Sequence, residues 1–126
     1  MFIKDIRRCR YFEARDDTFL CELLHPAREE AGIPYSLAHA VLRPGCASRS
    51  HRLKESSEVL YFLEGEGRVH INGESAAIGQ GQAVLVPPGS WQHVQNTGTA
   101  DLKILCIVYP SWSEDDEELD VGGVGV

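Results

Sequence analysis

Glycine and proline punctuate most of this chain at intervals of about eight to twelve residues, a rhythm that suits an all-β sandwich or barrel and leaves little room for helix. The runs between them are short and rich in β-branched and aromatic residues. They predict strands near 18–24, 35–42, 47–53, 59–64, 68–72, 75–78, 83–86, 91–95 and 102–109. Asn72-Gly73 separates two such runs and is a strong hairpin signal, because a type I′ turn needs positive φ at both central positions. Pro87-Pro88-Gly89 bars helix and strand locally and predicts a rigid bend. Only 26–32 (PAREEAG) has helical composition, enough for about two turns at most.

A chain of 126 residues with 43% apolar content is expected to close one core. No apolar run approaches the ~20 residues of a membrane helix. The first residues carry scattered charge and lack the apolar stretch of a secretory signal, so a cytoplasmic protein without a membrane partner is expected. The net charge of −7 is unevenly placed. Glu114, Asp115, Asp116, Glu117, Glu118 and Asp120 account for six of those charges, which leaves −1 for residues 1–113. Lys4, Arg7, Arg8 and Arg10 stand beside Asp5 and Glu13 and read as a solvated face, so no nucleic-acid partner is expected. The domain is expected to span 15–111, with 1–14 an N-terminal extension and 112–126 an acidic tail that frays into solvent. Cys9, Cys21, Cys46 and Cys106 form no C-x-x-C pair and read as small buried hydrophobes or free thiols.

Alternation assigns the faces. Val69 and Ile71 share one side of their strand, and Arg68 and His70 share the other, which turns His70 outward. Residues 59–63 (VLYFL) are apolar on both sides. One side must line the barrel, and the other needs cover from the N-terminal extension or a second subunit, which predicts a homodimer.

Chemistry gathers in two segments. Residues 45–65 bring a glycine, an imidazole, a carboxylate and another glycine together around a strand pair: Gly45, His51, Glu58 and Gly65. Residues 81–96 carry Gly81, Pro87, Gly89, Gln92, His93 and Asn96. An imidazole and a carboxylate facing an amide from another strand form a set that holds a divalent ion or polarises a substrate oxygen.

These spacings resemble the two motifs of the cupin family. Gly45, five residues, His51-Arg52-Leu53, four residues, Glu58, six residues and Gly65 fall on the first motif, with Leu53 where its second histidine is expected. Gly81, five residues, Pro87-Pro88-Gly89, two residues, Gln92, three residues and Asn96 fall on the second, with Gln92 at the histidine position. The spelling looks closest to small stand-alone cupins labelled mannose-6-phosphate-isomerase-like. The resemblance implies a double-stranded β-helix, or jelly-roll barrel, of about eight or nine strands, often dimeric, with the motif residues pointing inward. It also implies a divalent ion (iron, manganese, nickel or zinc) held by three histidines and a glutamate. Here only His51 and Glu58 are kept; leucine ligates nothing, and the Gln92 amide is a weaker donor than imidazole, so metal would be held loosely.

Two histidines are candidates to complete the set. His93 faces away from Gln92 on a regular strand, and a bulge at Trp91 would swing it in. His39 shares a face with Leu37 and Val41, and is either beside the site inside the barrel or a hydrogen-bonded core residue. His25, before Pro26, reads as a surface or local capping group. Tyr61, Phe62 and Trp91 are candidate pocket aromatics, with only one of Tyr61 and Phe62 able to face the cavity; Trp112 would either cap the barrel mouth or pack under the tail. Two functions fit. One is a binding module for a small polar or sugar-like ligand, with a loosely held metal. The other is a metal-dependent enzyme of isomerase, epimerase or dioxygenase type, using His51, Glu58 and Gln92 with His93 or His39. Sequence alone does not decide whether catalysis occurs.

Overall fold

A computed structural model describes residues 1–28 and 32–121. A short 3-10 turn at Ile6–Arg8, capped by the Asp5 carboxylate, precedes a succession of strands. These are β1 (Phe12–Glu13), β2 (Phe19–Leu24), β3 (Ser36–Leu42), β4 (His51–Leu53), β5 (Ser57–Glu64), β6 (Glu66–Ile71), β7 (Glu74–Gly79), β8 (Ala83–Val86), β9 (Gln92–Asn96), β10 (Leu102–Tyr109) and β11 (Glu117–Leu119). They form two antiparallel sheets, one ordered β1-β2-β3-β10-β5-β8 and the other β11-β4-β9-β6-β7. The expected all-β barrel is the observed architecture. Of the 26–32 segment expected to be helical, 26–28 form a turn, and 29–31 lie outside the described residues.

Period-two alternation is what folds the sheets face to face. In β10, Leu102, Ile104, Cys106 and Val108 point inward, while Lys103, Leu105, Ile107 and Tyr109 point out. One end of the barrel is filled by Leu42, Phe62, Val69, Ile78 and Leu102, and Phe62 and Leu102 are wholly buried. The Asn72-Gly73 turn forms as expected, with φ of 49° and 83°. Gly65, between β5 and β6, has φ 92°, and a Cβ there would lie 2.7 Å from the Asp101 carbonyl oxygen, so only glycine fits.

Both ends of the chain depart from expectation. The acidic segment does not fray where it is described: β11 pairs with β4, placing Glu118 opposite Arg52, with an ion pair at 2.9 Å. The Asp116 carboxylate accepts the Glu55 and Ser56 backbone N–H groups at 2.8 and 3.2 Å. Composition counts these acids as solvated, whereas their carboxylates serve as acceptors for a turn and partners for a strand. Near the start, Cys9 and Cys21 form a disulfide, in contrast to the expected hydrophobes or thiols. They stand twelve apart with no motif spacing, and tertiary folding brings their Cα atoms to 5.9 Å. Cys46 and Cys106 are free thiols.

The outer face of the six-stranded sheet is apolar in register. Leu37, Ile107, Val59 and Leu85 stand side by side across β3, β10, β5 and β8. The N-terminal segment covers only part of this face, where Tyr11 meets His39. Leu85, Tyr61, Ile107 and Tyr109 remain exposed.

Candidate functional site

The other end of the barrel is hollow. A cavity of about 140 Å³ lies between the sheets, walled by Leu20, Ala38, Ala40, Leu60, Val94 and Ile104. Its polar groups include His51 from β4, Glu58 from β5 and Gln92 from β9, joined by Asp16 and Glu117, with Glu22 and the Thr18, Ser36 and Ser48 hydroxyls also in the wall. Each strand delivers its group by alternation: His51 and Leu53, Glu58 and Leu60, Gln92 and Val94 all face in. His51 stands directly opposite Gln92 in the β4–β9 pair. Across the gap, the Gln92 amide donates to the Glu58 carboxylate at 2.9 Å and ties the two sheets together.

The imidazole is oriented from behind. His51 Nδ1 lies 3.0 Å from the Arg49 carbonyl, which only accepts, so Nδ1 carries the proton and Nε2 is turned inward. Nε2 lies 4.0 Å from the Asp16 carboxylate, whose other oxygen accepts from the Thr18 amide and hydroxyl. Glu117 completes the ring of acids. One of its oxygens accepts a long hydrogen bond from Trp112 Nε1 at 3.4 Å, and the other lies 3.5 Å from the Arg15 guanidinium.

These neighbours shift one another. Burial pulls the His51 pKa down, but the Asp16, Glu58 and Glu117 carboxylates and the Arg49 carbonyl outweigh it, and the net direction is up. For Glu58, burial raises the pKa and the Asp16 and Glu117 charges add to it, against the opposing pull of His51 and Gln92. Burial likewise raises Glu117. The Cys106 thiol is pushed well above its usual range by burial and by the Glu58 and Asp16 carboxylates, so it stays protonated.

Of the residues singled out from sequence, His51, Leu53, Glu58, Gln92 and Trp112 line this cavity, whereas His93, His39, His25, Tyr61, Phe62 and Trp91 do not. His93 lies on the outer face of β9, stacked on His70 with ring centroids 4.1 Å apart; β9 is regular, and no bulge swings it inward. His39 does share a face with Leu37 and Val41, but that face points away from the barrel, and Tyr11 covers it with a 2.7 Å hydrogen bond to Nδ1. Phe62 points inward at the filled end and belongs to the core, while Tyr61 points out. Trp91 also lies outside the cavity lining, its ring beneath the Arg52 guanidinium at 4.9 Å. His25 acts as a local cap: Nδ1 accepts the Ala27 amide at 3.0 Å, and Nε2 donates to the Trp112 carbonyl at 2.7 Å.

Asp16, Glu117 and Arg15 belong to the cavity and were missed. Asp16 precedes the first strong strand signal, and Glu117 is hidden within an acidic run. The one available signal was the Glu117-Glu118-Leu119 alternation, too short to outweigh the composition around it. Trp112 lines the cavity while its indole N–H reaches Glu117 of the tail strand, so it borders both the cavity and the tail.

The donor set fits a transition metal poorly. The lining offers one imidazole nitrogen among carboxylates; the Gln92 nitrogen is hydrogen-bonded to Glu58, its amide oxygen is a weaker donor than imidazole, and Leu53 takes the place of a second imidazole. Among the described residues, no group of three His, Cys, Asp or Glu side chains is arranged to hold a metal ion.

Comparison with known proteins agrees with this architecture. Residues 38–108 match the model of the Cupin domain family. The chain is 34% identical over 105 residues to the uncharacterized protein MJ1618 of Methanocaldococcus jannaschii, covering 83% of each chain. It is 32% identical over 71 residues to the oxalate-binding protein of Thermotoga maritima, covering 56% of this chain and 59% of that protein. Among solved structures, a predicted oxalate decarboxylase from Thermotoga maritima superposes with a TM-score of 0.77 at 22% identity, covering 86% of this chain and 99% of that one. With both motifs, two antiparallel sheets and inward-facing His51, Glu58 and Gln92 in place, the chain belongs to the cupin family.

Proposed function

We propose that the protein is a binding module whose barrel cavity takes a small polar or sugar-like ligand held by His51, Glu58 and Gln92. The observation that carries this reading is the convergence of those three groups, from three strands, on a partly open cavity with largely apolar walls. An apolar cavity of ~150 Å³ admits benzene, so the enclosed part of the ligand has on the order of six to ten heavy atoms. The metal-dependent enzyme reading required His93 or His39 as a further ligand, and both face away from the cavity. Any divalent ion would therefore rest on His51, Glu58 and Gln92 and be held loosely. The exposed apolar row on the six-stranded sheet supports a homodimer built on that face.

Amide-detected NMR titration with monosaccharides and polar fragments tests the reading. Expected shifts cluster on His51, Leu53, Glu58 and Gln92 and weaken in His51→Ala. Perturbations confined to the outer faces, or no binder at all, would defeat it. Elemental analysis of untagged protein offered iron, manganese, nickel and zinc is the companion measurement. A stoichiometric metal lost in His51→Ala would restore the enzyme reading. A cytoplasmic location is also proposed, and the Cys9–Cys21 pair checks it: a disulfide recovered from alkylation-quenched cells would place the protein in an oxidising compartment.

A further inference from the structure

The charges enclosed in the cavity are lopsided. Four carboxyl side chains line it: Asp16, Glu58 and Glu117 around a single imidazole, His51, and Glu22, which is paired with Arg28 at 3.0 Å. The guanidinium of Arg15 stands at the rim with a 40% exposed side chain, shared between Glu117 at 3.5 Å and Glu114 at 4.0 Å. Charged hydrogen-bond donors are scarce inside: the Gln92 amide donates to Glu58, the inward nitrogen of His51 faces Asp16, the Thr18 hydroxyl donates to Asp16, and the remaining donors are the neutral Ser36 and Ser48 hydroxyls. Acceptors are in surplus. Glu117 has a side chain only 7% exposed, and its Oε1 makes no hydrogen bond, its nearest positive charge being the rim guanidinium of Arg15 at 3.5 Å. A buried carboxylate oxygen with only this loose ion pair is under-satisfied, and a ligand N–H at hydrogen-bond distance would recover part of that free energy.

From this we infer that the cavity selects a small organic cation, an ammonium or amidinium group on a compact apolar body, with the charged nitrogen directed at Glu117 and Asp16. The inference rests on the binding-module reading and narrows it. An oxalate-like dianion meets the opposite of what it needs: one imidazole as its only enclosed cationic group, and an excess of like charge at short range. The apolar walls suit a hydrocarbon body better than a ring of hydroxyls, each of which would need its own partner. Benzylamine matches these requirements in size and charge, and benzyl alcohol and benzoate are its near-isosteric neutral and anionic counterparts.

Calorimetric titration of the intact chain with benzylamine, benzyl alcohol, benzoate, mannose and oxalate tests the inference, with amide NMR locating each site. Benzylamine is expected to bind in the cavity at least about tenfold more tightly than benzyl alcohol or benzoate, a ratio that separates charge from shape. Glu117→Gln and Asp16→Asn should each weaken benzylamine several-fold and leave benzyl alcohol unchanged. Should either variant fail to fold, the response of wild-type protein to salt carries the same information: benzylamine affinity falls as ionic strength rises, and benzyl alcohol affinity does not. Benzoate or oxalate binding as tightly as benzylamine overturns the inference. Mannose or benzyl alcohol in the cavity with benzylamine excluded also overturns it, but leaves the binding-module reading standing. If no probe perturbs the cavity residues, both fail.

Discussion

Asn96 ends the second motif, and its side chain does structural work away from the cavity. It is buried on β9, where its amide donates to the Leu42 and Ala100 carbonyls, each at 2.8 Å, and its oxygen accepts the Gly98 amide at 2.9 Å. It fastens the loop before β10 to the filled end of the barrel and does not line the cavity. Asn96→Ala removes three neutral hydrogen bonds, and at ~1 kcal/mol net for each the expected loss is ~3 kcal/mol. For a chain of this size, ~4 °C per kcal/mol turns that into a drop of about 12 °C in Tm. Asn96→Asp is the sharper test. One oxygen still accepts from Gly98, but the other replaces the donor and confronts two carbonyl oxygens. The aspartate variant should therefore be less stable than the alanine variant at neutral pH. It should recover relative to alanine as pH falls through the carboxyl range, since a protonated carboxyl regains one donor. Thermal and urea unfolding followed by circular dichroism from pH 7.5 to 4 measures both. A loss under about 1 kcal/mol for Asn96→Ala, or an aspartate variant as stable as wild type at pH 7.5, would refute the hydrogen-bond reasoning.

Other residues yield shorter predictions. Phe62→Ala should cost about 3–5 kcal/mol in urea unfolding, because its ring is fully enclosed by the core, whereas Tyr61→Ala on the exposed face should cost under about 1 kcal/mol. Burial lowers the His39 pKa, so the unfolded state binds the extra proton: the stability tied to neutral His39 is complete above the unfolded value near 6.5 and is lost as pH falls toward the depressed folded value. His39→Gln should flatten stability across that window, and a slope unchanged from wild type would count against the assignment. Leu53→His with Gln92→His adds two imidazoles to the cavity lining and should convert loose metal binding into stoichiometric cobalt binding, read by visible absorption. Leu85→Glu with Ile107→Glu should turn the proposed dimer into a monomer by light scattering, and a monomeric wild type at micromolar concentration would remove that proposal.

Local signals carried the fold and half of the site. Turn chemistry at Asn72-Gly73 and alternation in β5, β9 and β10 act over two to eight neighbouring residues, so they can be read without knowing what lies opposite. The two motifs brought His51, Glu58 and Gln92 to one cavity because each strand fixes the parity of its own side chains. Parity says which residues share a face; it does not say which face is inside. His39 was placed correctly with Leu37 and Val41, yet that face turns outward, because β3 sends Ser36, Ala38 and Ala40 to the cavity instead. Depth along the barrel is equally invisible from sequence, so Phe62 faces inward but reaches the filled end. Contacts between distant segments needed the tertiary fold most of all. The Cys9–Cys21 disulfide, the pairing of β11 with β4, and the meeting of Asp16 and Glu117 at the cavity join segments that carry no mutual signal in sequence. Short-range sterics and alternation determined the strands; long-range packing decided which carboxylates of an acidic chain are buried together around a histidine.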